Sequence, residues 1–239
     1  MRTRAVLVAQ SPVLRIGIQG VLESTGDYAV VAEAENCLQA TSAAIAHQPD
    51  VVLIQDALRG VAGIIAARAV REFAPRAAIL VLTEDFSDRR VEAALRHGVD
   101  ALLPAEIEGS ALIAAIRRTI AGARPLLELA RLRPSVVERI RDTAQASEPV
   151  AEAENGNKHP LLSGYEIAIL DGLIRGIPSH EIAAHLRLVE QAIAEHGKSL
   201  LRKLRAADRE EAVASAARTG MMDISAQLPT VPSGATSLA

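Results

Sequence analysis

From Ala5 to Gly122 the chain alternates short apolar runs with longer stretches whose apolar residues return every three or four positions. The runs are Ala5 to Ala9, Ala29 to Ala34, Val51 to Gln55, Ala78 to Thr83 and Ala101 to Leu103. Runs of this length set between helical patterns predict strands of a parallel sheet buried on both faces. The helical spacing predicts helices near Pro12 to Ser24, Cys37 to His47, Val61 to Phe73, Asp88 to His97 and Gly109 to Ala121. Ser11 is placed to cap the first of them with Pro12 in its opening turn, and Gly98 to end the fourth. Right-handed crossovers then give an α/β domain over residues 1 to 123, a flavodoxin-like, doubly wound sheet of five parallel strands.

Residues 124 to 160 break this pattern. Pro134 to Ala144 predicts one helix, with Val136, Val137 and Ile140 on one side and Arg139 and Arg141 on another. Ser147 to His159 is acidic and rich in Ala, Glu, Asn and Gly, the composition of a flexible tether, so the parts on either side are expected to move independently. Apolar periodicity returns at Leu162 and predicts a second, all-α domain of four short helices over residues 161 to 218. Beyond it, residues 219 to 239 hold Pro229, Pro232 and Gly234 with no periodicity, which predicts a disordered tail.

Composition narrows the chemistry. The 239 residues suffice for two ordinary cores, and Ala, Val, Leu and Ile supply them, since Tyr28, Phe73, Phe86 and Tyr165 are the only aromatics. Cys37 is the single cysteine and can form no internal disulfide, and the N-terminus lacks the plan of a signal peptide, so a reducing cytoplasm is expected. No apolar run is long enough to span a membrane. A net charge of -3 excludes coating of nucleic acid by bulk charge and leaves a local basic patch as the means of contact. The histidines are scattered without ligand spacing, and no Ser/His/Asp set is evident. No metal, no cofactor and no enzymatic activity are expected.

The segments V-L-V-A-Q-S-P-V-L-R (6 to 15), P-D-V-V-L-I-Q-D-A-L-R-G (49 to 60), A-I-L-V-L-T (78 to 83) and G-V-D-A-L-L-P-A (98 to 105) resemble, as a set, the receiver domain of a bacterial response regulator of the NarL/FixJ subfamily. The resemblance implies a phosphorylation pocket: an acidic pair holding Mg²⁺, an acceptor aspartate, a hydroxyl and a lysine. Those places fall on Ala9 and Gln10, Gln55, Thr83 and Ala105. Only Thr83 keeps its group. Mg²⁺ requires carboxylate oxygens, and a side-chain amide is no nucleophile toward phosphorus, so the pocket reads as degenerate. Asp56 lies one residue past the acceptor position, and strand alternation aims it at the opposite face, away from the pocket. Thr83 is expected to bond a nearby backbone group instead. What remains is a scaffold for dimerisation, for a small-molecule ligand at the C-terminal edge of the sheet, or for a regulatory protein.

The stretch from Leu162 to Val213 resembles the LuxR-type helix-turn-helix domain through L-S-x-x-E, E-I-A-x-x-L-x-L and A-I-x-x-H-x-x-x-L-x-x-K-L. Ser163 and Glu166 form a capping box, Gly176 ends the first helix, and Ser179 caps the next, His180 to Leu186. The third, about Glu190 to Leu204, is the recognition helix that the resemblance implies. At about 100° per residue, Ile193, Gly197, Leu200 and Leu204 share the inner face. Gln191, Ala194, Glu195, Lys198, Arg202 and Arg205 share the outer one, and with Ser179 and His180 they are the expected DNA contacts. Lys198, Arg202 and Arg205, with Lys203 near, suit phosphates. Ala192 and Ala194 stand where the family carries a threonine and a lysine, Glu190 and Glu195 would face a polyanion, and Val189 takes the place of a Ser/Thr cap. His196 is expected to be packed. The last helix, Asp208 to Arg218, offers Ala212, Val213 and Ala216 as a dimer contact. The expectation is a phosphorylation-independent regulator that binds DNA as a homodimer, or else a protein-interaction regulator that has lost DNA readout.

Overall fold

A computed structural model describes residues 2–145 and 162–222; the expected tether at 147–159 and the chain past 222 lie outside the described residues. The first domain holds β1 (Thr3–Val8), α1 (Pro12–Ser24), β2 (Tyr28–Ala34), α2 (Cys37–His47), β3 (Val51–Gln55), α3 (Gly63–Phe73), β4 (Ala78–Thr83), α4 (Asp88–Arg96), β5 (Ala101–Pro104) and α5 (Gly109–Ile120). The strands form one parallel sheet in the order β2-β1-β3-β4-β5. The predicted elements agree with these within a residue or two at their ends, the usual fraying.

Successive strand residues point to opposite faces, and the two cores follow that alternation. Ala5, Leu7, Val51, Leu53, Ala78, Leu80 and Leu82 pack under α1 and α5 with Ile18, Leu22, Leu112 and Ile116. Val6, Val8, Val52, Ile54, Ile79 and Val81 pack under α2, α3 and α4. The Ser11 side chain accepts from the Leu14 backbone with Pro12 in the first turn, as the sequence predicts.

Among its described residues the linker holds two helices where the sequence predicts one: α6 (Pro125–Arg131) and α7 (Pro134–Gln145). Pro125 opens α6 at its first turn, and Leu126 and Ala130 are buried against α4 and β5. Asp88 at the start of α4 takes Ser135 and Arg133 of the linker, and Arg139 reaches Glu92 at 3.0 Å. The Ser135 hydroxyl and the Arg133 guanidinium hold the Asp88 carboxyl below the usual range.

The second domain holds α8 (Gly164–Ile174), α9 (Ser179–Leu186), α10 (Glu190–Leu204) and α11 (Arg209–Arg218). The Ser163–Glu166 capping box is present. Pro178, with Ser179 already helical, takes the cap position of α9, one residue earlier than predicted.

Two expectations are overturned. The domains do not sit apart: α8 packs against α2 and α3, and α9 against α2, so that one apolar core runs from the sheet through Ile167, Ala168, Leu170, Ile182 and Leu200. The cause is α8 itself, whose buried positions include Ile167, Ala168, Ile169 and Leu170 on every side, leaving no polar face for water. Nor does regular structure end at Arg218. Met221 and Met222 are buried, the Ala62 N–H donates to the Met221 carbonyl at 3.0 Å, and Met222 bridges Val61.

Candidate nucleic-acid interface and receiver pocket

The pocket at the C-terminal edge of the sheet is built by register. Gln55 pairs with Leu82, so Asp56 stands level with Thr83, on the α2 to α4 side of the sheet. The two strand ends therefore separate their side chains. Gln55 points toward β1, where its Oε1 accepts from the Gln10 N–H at 3.1 Å. Asp56, 5% exposed, accepts from the Thr83 hydroxyl at 2.9 Å, the Arg90 Nε at 2.7 Å and the Ile64 N–H at 3.3 Å. Asp56 does differ in face from Gln55, as alternation requires. It is not aimed away from the pocket, because Thr83 shares its face. Gln55, Asp56, Thr83, Glu84, Asp85, Arg90 and Ala105 line one cavity of about 300 Å³.

Thr83 also accepts from the Asp85 N–H at 3.1 Å, the backbone contact expected of it. Burial alone would raise the Asp85 carboxyl, but bonds from Ser87 and the charge of Arg90 outweigh it and hold it low. On the other side of the pocket Ala9 is buried, and Arg15 donates to the Ala9 carbonyl at 2.6 Å and to the Gln10 carbonyl at 3.4 Å. Arg15 is in turn held by Glu33 at 2.7 Å and Glu35 at 3.0 Å. A guanidinium thus occupies the approach to the place of the acidic pair, next to an alanine and an amide. That donor set does not fit Mg²⁺, which takes oxygen anions.

In the second domain the turn through Arg187, in the left-handed region at φ 54°, carries the chain from α9 into α10. Ile193, Leu200 and Leu204 are buried, while Gln191, Ala194, Glu195, Lys198, Arg202 and Arg205 are exposed, so the predicted faces of α10 are the ones it presents. Gly197 is half-buried, with open space around it in place of the inner-face packing expected. Ser179 and His180 are exposed at the start of α9. Arg205 is the left-handed cap of α10 rather than a helical residue. Lys203 differs from its neighbours: it donates to the buried Glu166 at 2.7 Å and so braces α10 to α8. Burial pushes the Glu166 carboxyl up, but Lys203, the Ser163 N–H and Ser199 together hold it below its ordinary value. The His196 ring lies 5.0 Å from Tyr165, which meets Phe73 of the first domain edge-on at 4.6 Å. His196 is a packing residue.

The apolar strip of α11 is not free for a partner. Ala212 and Ala216 are fully buried against the chain's own core, since α11 packs on α8 and α10.

Comparison with known proteins agrees with both halves. Residues 5–117 match the response regulator receiver domain, and residues 160–216 match the bacterial regulatory proteins of the luxR family. The chain is 28% identical over 207 residues to the nitrate/nitrite response regulator protein NarL of Escherichia coli K12, covering 87% of this chain and 91% of that protein. It is 25% identical over 213 residues to the response regulator protein VraR of Staphylococcus aureus Mu3, covering 89% and 95%. Among solved structures it is similar to a two-component response regulator of the LuxR family from Aurantimonas sp. SI85-9A1, at 27% identity and a TM-score of 0.49, over 61% of this chain and 99% of that one. The chain thus carries a response regulator receiver domain in front and a regulatory domain of the luxR family behind. The relatives named above are response regulators. No helix among the described residues is long and apolar enough to cross a membrane.

Proposed function

We propose that this regulator binds duplex DNA as a homodimer through α10 and is not switched by aspartyl phosphate. The observation that carries the reading is the pairing of an exposed α10 face with a receiver pocket whose own groups are already satisfied. Lys198 and Arg202 are exposed on α10, with Arg205 at its end, while the receiver packs behind, on α8 and α9. Lysines and arginines in a row anchor a helix on phosphates, and Gln191, Ala194 and Glu195 then lie over the base edges, with Ser179 and His180 beside the backbone. In the pocket, Gln55 offers an amide where a carboxylate nucleophile is needed, and both oxygens of Asp56 are engaged. Residues 1–123 act as the receiver, 124–160 as the linker and 161–218 as the DNA-binding domain, with Met221 and Met222 after it packed back on the receiver. The signal is a small molecule or regulatory protein at the receiver, and the protein works in the cytoplasm.

Glu190 and Glu195, both exposed on α10, favour a second reading, a protein-interaction regulator without DNA readout. Filter retention of duplex by the purified chain at about 50 mM salt separates the two, because phosphate contacts are strongest at low salt. Retention well above background supports the first reading, and none selects the second.

A further inference from the structure

Glu195 is an acid on a face of α10 that otherwise carries cations and neutral side chains. At about 100° per residue it lies about 20° from the direction directly opposite the buried Ile193, Leu200 and Leu204, so it stands on the crest of the helix with Gln191 and Arg202. Gln191 precedes it by about 6 Å along the axis, and Arg202 follows by about 10 Å. Glu195 is exposed, and among the described residues no hydrogen bond or ion pair holds it. The other acid of the helix has a local reason. Glu190 is in the first turn, where a carboxylate complements the helix dipole, and it lies about 120° round from the crest. Glu195 is the sixth of fifteen residues, past the reach of that dipole. It supports nothing in the fold, and a helix lying in the major groove would press its negative charge against the base edges.

We infer that Glu195 is a specificity-determining residue, which selects duplex DNA with a cytosine facing it in each half-site. The inference rests on the reading above that α10 enters the major groove. A carboxylate accepts hydrogen bonds and donates none. In the major groove guanine N7 and O6 and thymine O4 are acceptors, and adenine sets its N7 acceptor beside its one amino group. Cytosine alone presents a donor, its N4 amino group, with no acceptor of its own. Against the other three bases the carboxylate meets lone pairs as well as the phosphate charge, so it rejects them by repulsion. Against cytosine the bond from N4 offsets that cost. Lys198 and Arg202, exposed beside it, hold the helix on phosphates close enough for the difference to be felt. The same residue that lowers affinity for most sequences therefore sharpens the choice among them.

Binding-site selection from a randomised duplex pool at about 50 mM salt tests this, with the full chain as wild type, Glu195→Gln and Glu195→Ala. Both replacements are good helix formers at an exposed position, so the fold is kept. Wild type is expected to enrich one C·G pair in each half-site, and exchange of that pair for any other to weaken its binding on the order of 10- to 100-fold. Glu195→Gln should move the preference at that pair to adenine, whose N6 and N7 suit an amide that both donates and accepts. Glu195→Ala should lose the preference and hold unselected duplex more tightly than wild type does. A glutamate with only a structural role would instead change binding to all sequences alike. If wild type and Glu195→Ala bind DNA and select the same sites, the inference is overturned while the DNA-binding reading stands. Retention of duplex by Glu195→Ala alone, or by none of the three proteins, overturns both together.

Discussion

Thr83 and Asp56 close the receiver pocket together: their strand ends are level, and the threonine hydroxyl donates to the aspartate at 2.9 Å while Arg90 pairs with the same oxygen. An anion fixed there by the chain itself ties β3, β4 and α4 at one point. Asp56→Asn keeps the size and removes the charge that Arg90 answers. Hydrogen bonds to charged groups contribute about 1.5–3 kcal/mol, so the variant is expected to lose about 2 kcal/mol. Denaturant unfolding reads this directly, and an unchanged midpoint at constant slope argues that the pair contributes nothing.

The strands and the helix faces were legible in the sequence because each depends on local periodicity, whereas Gln55 is placed at the acceptor position only by the resemblance to receiver domains. The role of Asp56 was not. Alternation correctly assigns Asp56 and Gln55 to opposite faces, yet the face that carries Thr83 is fixed by the β3–β4 register, a non-local fact. The docking of the domains was half legible. The acidic tether suggested freedom, while α8, apolar all round, already called for burial against something larger than its own small domain. For Met221 and Met222, two large apolar side chains at the start of the tail were the sign that the chain continues into the core.

Acetyl phosphate is expected to leave the intact mass of the protein unchanged. The reagent needs a free carboxylate nucleophile beside a divalent ion. Here the acceptor position holds Gln55, Arg15 sits against the Ala9 and Gln10 carbonyls, and Asp56 is bonded at both oxygens. A phosphoryl adduct mapped to Asp56 contradicts the phosphorylation-independent reading.

Helix α10 can be made more stable without touching its outer face. Val189, 71% exposed, takes the cap position of α10 with no side-chain bond to the helix. Val189→Ser supplies that acceptor, and replacements of this kind are worth about 1 kcal/mol. Gly197 lies in helical backbone with nothing within 4 Å of where a Cβ would stand, so Gly197→Ala should add up to about 1 kcal/mol by restricting the unfolded chain. The two sites lie more than two turns apart and share no partner, so their effects should add. Thermal or denaturant unfolding of the single and double variants checks both magnitude and additivity.

The basic residues of α10 divide into two roles that salt dependence can separate. Lys198 and Arg202 are exposed on the outer face, whereas Lys203 is tied to Glu166. Each cation that neutralises a phosphate on duplex DNA contributes about one unit to the slope of log affinity against log salt. Lys198→Ala and Arg202→Ala should each flatten that slope by about one and weaken binding on all sequences alike. Lys203→Ala should leave the slope unchanged and instead lower stability, because the buried Glu166 loses a charged partner. Binding titrations across a salt series, run beside unfolding curves for the same proteins, distinguish the outcomes. A slope change in Lys203→Ala equal to that of Lys198→Ala would put DNA on the wrong face of the helix.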